Sequence, residues 1–192
     1  MQFTITSPDN FRAIPWKNGK GQTIELAINE GANLENFDWR LSMADVVEDG
    51  VFSDFSGYLR NLVLIKGKAI TLIHDQKTTD TLDRYLDFAT FDGGCKTQGV
   101  LPEGPITDFN IITKHDKYDV TVTTCQHDAT VELSDGEYIW AYSLSHDAKI
   151  VSEQHQEISL PANHLLQISN HNTETKTSIL GSELIIVTLR LK

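Results

Sequence analysis

Cysteine is scarce in this 192-residue chain, and the two that occur, Cys95 and Cys125, form no CxxC pair. That gives no support to a zinc knuckle or a thioredoxin-like couple; two reduced structural thiols are expected, with a disulfide as the alternative. Clustered positive charge is missing as well. No run of Lys or Arg exceeds two residues and the formal net charge is −11, so neither a nucleic-acid backbone nor an anionic membrane surface is an expected partner. No apolar stretch approaches the roughly 20 residues that span a bilayer. The opening residues MQFTITSPDNFRAIPWKNGKG lack the charged head, apolar middle and cleavage site of a secretory signal, so a cytoplasmic location is expected.

Chemical signatures are equally sparse. There is no GxSxG elbow, no GxxxxGK[ST] loop and no GxGxxG turn. Gly19-Lys20-Gly21 precedes a strand pattern rather than a helix, so the anion-binding helix end is absent. The seven histidines, at 74, 115, 127, 146, 155, 164 and 171, form no HxH, HExxH or HxxxH pair, and spacing gives a metal no support. His146, His155 and His171 sit among polar residues and read as loop histidines. The acidic pairs Glu48/Asp49 and Glu132/Asp135 read as a solvated face.

What the chain does have is apolar alternation. Hydrophobic residues make up 40% and charged residues 22%, enough to offset chain entropy in a globule. Apolar positions recur with period two, and turn residues interrupt them every eight to twelve positions, the pattern of an all-β sandwich or barrel. Strands are expected at 2–6, 23–28, 38–44, 59–66, 69–74, 109–113, 120–124, 130–133, 138–144, 149–151, 157–160, 165–169, 176–180 and 183–191. Segment 79–88 fits a helix or a strand equally well. Gly67-Lys68 between two apolar runs predicts a tight hairpin. A similar succession follows from residue 138, so the chain reads as two related β halves, 1–115 and 116–192, joined tightly within one folding unit. A small closed barrel either fills its interior or keeps a ligand-sized hollow, and function is expected at its mouth.

Three segments are chemically denser than the rest. Pro15-Trp16-Lys17-Asn18-Gly19-Lys20-Gly21 combines an aromatic plane, cations, an amide and pliable glycines. It can close over a ligand or simply pack Trp16 on the core. In Phe37-Asp38-Trp39-Arg40-Leu41-Ser42-Met43-Ala44-Asp45, alternation sends Trp39, Leu41 and Met43 to one face and Arg40, Ser42 and Ala44 to the other. Arg40 then reaches water, grips a ligand carboxylate, or pairs with a buried acid. In Gly104-Pro105-Ile106-Thr107-Asp108-Phe109-Asn110-Ile111-Ile112, Asp108 and Asn110 share a face and need polar partners. They balance Arg40 or a ligand, or close an internal network.

Pro15-Trp16-Lys17-Asn18-Gly19, the Trp39-Arg40-Leu41-Ser42-Met43-Ala44 run, Gly50-Val51-Phe52-Ser53, Phe91-Asp92-Gly93 and Asp108-Phe109-Asn110, in this order and spacing, resemble the HutD/Ves family of the cupin superfamily, from about residue 10 to the C-terminus. The resemblance implies an RmlC-like jelly roll, a double-stranded β-helix in a bicupin arrangement. It also implies a role around histidine utilisation, where HutD is regarded as restraining flux, or around environmental stress in the Ves branch. Many cupins hold a metal on an HxH…E…H set. Here Pro161-Ala162-Asn163-His164 echoes the second cupin motif, while the histidine pair of the first is missing, and no metal or cofactor is expected.

The leading expectation is a metal-free cupin that binds a small carboxylate metabolite through Arg40, covers it with Trp16, and reads its polar groups with Asn18, Asp108 and Asn110. No catalytic residue is assigned on this reading, and a homodimer is an open alternative to a monomer. Two rival readings are a cupin enzyme, an isomerase or hydrolase using Asp108 or a histidine as general base on a small acid, and a protein-interaction module.

Overall fold

A computed structural model describes residues 2–16, 21–153, 155–171, 174 and 176–192, without the side chains of His155, Gln156 and Asn170. Asn18 lies outside the described residues.

The chain divides into two compact units, Phe11–Lys117 and Met1–Asn10 with Tyr118–Lys192. This differs from a contiguous split into 1–115 and 116–192. The first strand, β1 (Gln2–Thr6), pairs antiparallel with a late strand, Gln2 opposite Ser169 and Thr6 opposite Leu165, so backbone hydrogen bonds tie the N-terminus into the C-terminal unit. A single 3₁₀ turn, Pro8–Asn10, then leads into the other unit.

The Phe11–Lys117 unit contains β2 (Arg12–Pro15), β3 (Gln22–Ile28), β4 (Trp39–Val46), β5 (Gly50–Val51), β6 (Tyr58–Lys66), β7 (Ile70–His74), β8 (Thr78–Leu82), β9 (Phe88–Asp92), β10 (Thr97–Val100) and β11 (Ile106–Lys114). They form a six-stranded sheet, β2-β3-β4-β11-β6-β9, and a four-stranded sheet, β5-β10-β7-β8. Leu62 and Leu64 of β6, Ile70 and Leu72 of β7, and Leu82 of β8 make one hydrophobic cluster with Ala89, Phe91 and Ile106. Each such fully buried side chain contributes about 1.5–3 kcal/mol.

The C-terminal unit adds β12 (Tyr118–Cys125), β13 (Ala129–Glu132), β14 (Gly136–Ser143), β15 (Ala148–Ser152), β16 (His155–Leu160), β17 (Leu165–His171), β18 (Thr177–Gly181) and β19 (Leu184–Leu191). Its sheets are β1-β17-β14-β19-β12 and β13-β18-β15-β16. The order β12-β19-β14-β17 repeats β4-β11-β6-β9, and β13-β18-β15-β16 repeats β5-β10-β7-β8. The two units thus share this strand order.

The hairpin expected across Gly67-Lys68 does not form. β6 is paired on both sides, to β11 and β9, while β7 lies in the other sheet between β10 and β8. With both edges of β6 occupied, the short link turns a corner between sheets instead of closing a ladder. Gly67 has φ +92°, and a Cβ there would come within 2.6 Å of the Pro105 carbonyl oxygen, so glycine serves close approach as well as conformation. Segment 79–88 resolves into the end of β8 and a turn with Leu86 at φ 67°. The short strands β2, β5 and β10 escaped the alternation pattern because two to four residues carry too little periodicity.

Of the three histidines expected in loops, one lies there and two lie on strands. His146 is an exposed loop residue, 63% accessible, near Glu183. His171 instead ends β17, is buried, and its Nδ1 lies 3.1 Å from the Ser134 carbonyl oxygen. His155 opens β16. Cys95 and Cys125 are free thiols, both partly buried.

Candidate functional site

Three neighbouring strands of the six-stranded sheet present polar side chains on one face. Register places Arg40 of β4 and Arg60 of β6 on either side of Ile112 of β11. Two residues along, Ser42 and Leu62 flank Asn110, and further on Ala44 and Leu64 flank Asp108. Directly paired residues share a face, so the alternation that separated Arg40, Ser42 and Ala44 from Trp39, Leu41 and Met43 holds. This face borders a cavity of about 660 Å³ whose lining includes Trp16, Arg40, Ser42, Arg60, Asp108 and Asn110. Four expected residues, Trp16, Arg40, Asp108 and Asn110, thus converge on one hollow inside the Phe11–Lys117 unit.

Arg40 has a partner within the protein. Its Nε donates to Glu25 Oε2 at 2.7 Å, and both side chains are 7% exposed. The acid comes from β3, where a register shift between Glu25 and Ala27 breaks the alternation. That bulge is why the pairing is hard to see from sequence. Asp108 therefore does not balance Arg40 by a salt bridge.

Arg60 is the residue that sequence reasoning missed. It is 4% exposed, its Nη2 donates to Asn110 Oδ1 at 2.8 Å and its Nη1 to the Ser53 carbonyl oxygen at 3.5 Å, and its Nε has no hydrogen-bond acceptor among the described residues. Among the described residues it makes no salt bridge. The rings of Phe52, Phe55 and Phe91 lie 5.1, 5.4 and 5.3 Å from its Cζ, a threefold cation–π setting. Burial lowers the guanidinium to about 10, Asp108 opposes that shift and Arg40 adds to it. The available signal was parity. Arg60 shares the core-facing parity of Leu62 and Leu64, an uncommon position for a cation.

Asp108 is fully buried. Its Oδ1 accepts from Asn110 Nδ2 at 2.5 Å, whereas Oδ2 has no hydrogen-bond partner among the described residues. Burial pushes the carboxyl up to about 7 against the opposing pull of Arg60, the Asn110 amide and the Ala44 backbone amide. A chain of contacts thus runs from Arg60 through Asn110 to Asp108, in which the Asn110 amide accepts from one and donates to the other.

Two glycines shape the aromatic wall. A Cβ on Gly99 would meet Phe52 Cε2 at 2.6 Å, and one on Gly93 would meet the Phe55 carbonyl oxygen at 2.6 Å. Trp16, also in the lining, is partly buried, and its Nε1 donates to Thr23 Oγ1 at 2.9 Å. Trp16 is therefore fixed at the cavity wall by its own hydrogen bond.

Among the described residues no three His, Cys, Asp or Glu side chains gather as a metal-binding group. His164, in the segment that echoes a cupin motif, directs Nδ1 to the Ala162 carbonyl oxygen at 2.9 Å. The buried His74 is held between Thr97 Oγ1 and Asp80 Oδ2 and rests on Phe91. Among the described residues no helix is long and apolar enough to cross a membrane.

Comparison with known proteins decides the family. The family described as HutD matches residues 8–186. The chain belongs to the HutD family. An uncharacterized 21.2 kDa protein in the hutC 3' region of Pseudomonas putida is 36% identical over 117 residues, 61% of each chain. Protein Ves of Citrobacter koseri is 33% identical over 129 residues, 67% of this chain and 66% of its own. The chain thus spans about three fifths to two thirds of these curated relatives. The structure of HutD from Pseudomonas fluorescens SBW25, in a formate condition, superposes with a TM-score of 0.82 at 25% identity, covering all of both chains. The HutD-family fold seen here is all-β and of the cupin type.

Proposed function

We propose that the Phe11–Lys117 unit binds a small carboxylate metabolite and that the protein acts as a metal-free regulator linked to histidine utilisation or environmental stress. The observation that carries this reading is Arg60, a buried guanidinium beside an open cavity, with no salt bridge among the described residues. An unpaired buried cation is costly, and a ligand anion would relieve that cost. Arg40 adds positive charge to the same wall, although Glu25 offsets it. A desolvated charged hydrogen bond contributes about 1.5–3 kcal/mol, so two or three together with aromatic cover reach micromolar affinity. The guanidinium groups supply the positive charge that many cupins obtain from a metal. Trp16 covers the ligand, while Asn110 and Asp108 read its polar atoms. The repeated strand order supports a bicupin arrangement, and the hutC 3' region of the Pseudomonas putida relative supports the histidine link.

The test is calorimetry with urocanate and formimino-glutamate against wild type, Arg40→Met and Arg60→Met. Saturable binding that weakens at least tenfold in Arg60→Met is expected. Absence of binding by both acids and by simple alkanoates such as hexanoate, or an unchanged affinity in Arg60→Met, overturns the reading.

One observation favours a second reading. A buried carboxyl held near 7 is suited to act as general base at neutral pH, which fits an isomerase or hydrolase acting on a similar acid. Turnover of either compound by wild type, abolished in Asp108→Asn with binding retained, selects the enzyme. Binding without turnover selects the regulator.

A further inference from the structure

We propose that the acid this cavity accepts is an amphipathic monocarboxylate, with its head at the guanidinium floor and an apolar body of about four or more carbons along the mouth. The inference rests on the carboxylate reading above and narrows its ligand class.

The floor and the mouth differ in kind. At the floor Arg40, Arg60, Asp108 and Asn110 are all 6% exposed or less. At the mouth Leu34, Val47 and Val51 are 47%, 48% and 61% exposed. These three belong to a small set of exposed large hydrophobic side chains among the described residues, with Ile5, Phe88, Val151 and Leu191 completing it. Apolar side chains scattered singly over a surface need no explanation, but three around one opening that leads to buried cations do. Phe52 and Phe55, partly buried, continue the apolar wall from that rim down to Arg60.

Size points the same way. A cavity of about 660 Å³ falls in the range of sites for ligands of drug size, about 300–1,000 Å³. A lone carboxylate of three heavy atoms fills little of it. The carbon surface of Ile14, Pro15, Val46 and Ile112, also in the lining, stays wet beneath a small polar acid and is covered by an apolar body. The exposed Glu48 and Asp49 stand at the same mouth. The Asp49 carboxylate, whose Oδ1 accepts from the Leu101 backbone amide at 2.8 Å, places negative charge at that mouth, which disfavours dicarboxylates.

The experiment is a calorimetric series of acetate, butanoate, hexanoate and the dicarboxylate adipate, beside urocanate and formimino-glutamate. Affinity is expected to rise about threefold to fourfold per methylene from acetate to hexanoate, and hexanoate is expected to exceed adipate by about tenfold or more. The double variant Leu34→Ser, Val51→Ser flattens the series by weakening hexanoate several-fold more than acetate, and Arg60→Met weakens every member, which separates binding in this cavity from general adsorption. Binding of urocanate or formimino-glutamate with no gain along the alkanoate series overturns the inference and leaves the carboxylate reading intact. Binding by none of the acids overturns both.

Discussion

The two units share one strand order and fill it differently. The matching positive-φ turns at Leu86 and Asn163, whose amides donate to the Leu64 and Ser143 carbonyl oxygens, equate Leu64 with Ser143 and so Arg60 of β6 with Ile139 of β14, paired with Ile112 and Thr188 of the central strands. By the same register Leu62 and Asn110 correspond to Ala141 and Ile186, and Leu64 and Asp108 to Ser143 and Leu184. Where one unit has a guanidinium, an amide and a carboxyl, the other has Ile139, Ile186 and Leu184. These three are packed with Ala141, Leu166, Ile168 and others in a continuous apolar cluster. A jelly-roll frame therefore does not itself demand a polar hollow, because the same ladder accepts a filled core. The polar set in the Phe11–Lys117 unit works against stability, since it leaves Arg60 Nε and Asp108 Oδ2 buried without hydrogen-bond partners among the described residues. Such positions are expected at sites of function.

Exchanging the character of the two interiors tests this contrast. The largest effect is expected from Leu184→Asp, which places in the filled unit the acid that the cavity unit carries at Asp108. With no guanidinium or amide at the matching positions, the charge is unpaired, and urea unfolding should show a loss of about 4 kcal/mol or more. A loss below about 1 kcal/mol would mean the two interiors are more alike than their packing indicates.

Next comes Glu25→Gln, which removes the charge partner of Arg40 and should cost about 3 kcal/mol in the same assay. It also leaves a second unneutralised guanidinium at the cavity wall, so carboxylate affinity should rise while stability falls. Opposite movements of the two readouts are the diagnostic result.

A smaller effect in free energy, though decisive for function, is Arg60→Met beside its register counterpart Ile139→Met. The first should weaken carboxylate binding at least tenfold, about 1.4 kcal/mol, with stability changed by about 1 kcal/mol or less. The second should leave affinity unchanged. Equal effects on binding would break the assignment of the site to one unit.

The remaining effect is read as a difference between two pH values. The Asp108 carboxyl lies near 7 in the folded protein and at an ordinary 3.8 when unfolded. Between those values the folded state holds a proton that the unfolded state has lost. This group therefore lowers stability as pH rises from about 4 to about 7, and the penalty is complete above 7. Asp108→Asn keeps the acceptor facing Asn110 and removes the titration. Its melting temperature, relative to wild type, should be a few degrees higher at pH 8 than at pH 5. In binding, a ligand carboxylate near Asp108 favours the protonated acid, so wild-type affinity should fall as pH rises through about 7 and that slope should vanish in Asp108→Asn. A parallel pH dependence in both proteins would move the titration to another group.

Much of this was legible along the chain. All fourteen expected strands appear, within a few residues at their ends, because period-two alternation reports burial of one face directly. Arg40, Asp108 and Asn110 stood out as polar side chains among small or apolar neighbours of one parity. Arg60 did not, because Leu59, Leu62 and Val63 around it made the run read as plain core. Glu25 was hidden by the bulge after it, since parity arguments fail once the register shifts. The corner at Gly67 was misread because a two-residue link between apolar runs carries the same local signal whether its strands pair or part.

Composition, alternation and turn residues were sufficient to determine an all-β chain of two similar halves, because those signals act over a few residues. Which strands lie side by side, which acid meets Arg40, and that Arg60 rather than any histidine commands the hollow were decided only in three dimensions. Pairing between residues as distant as Arg60 and Asn110 depends on which sheet edges remain free once other strands have taken theirs.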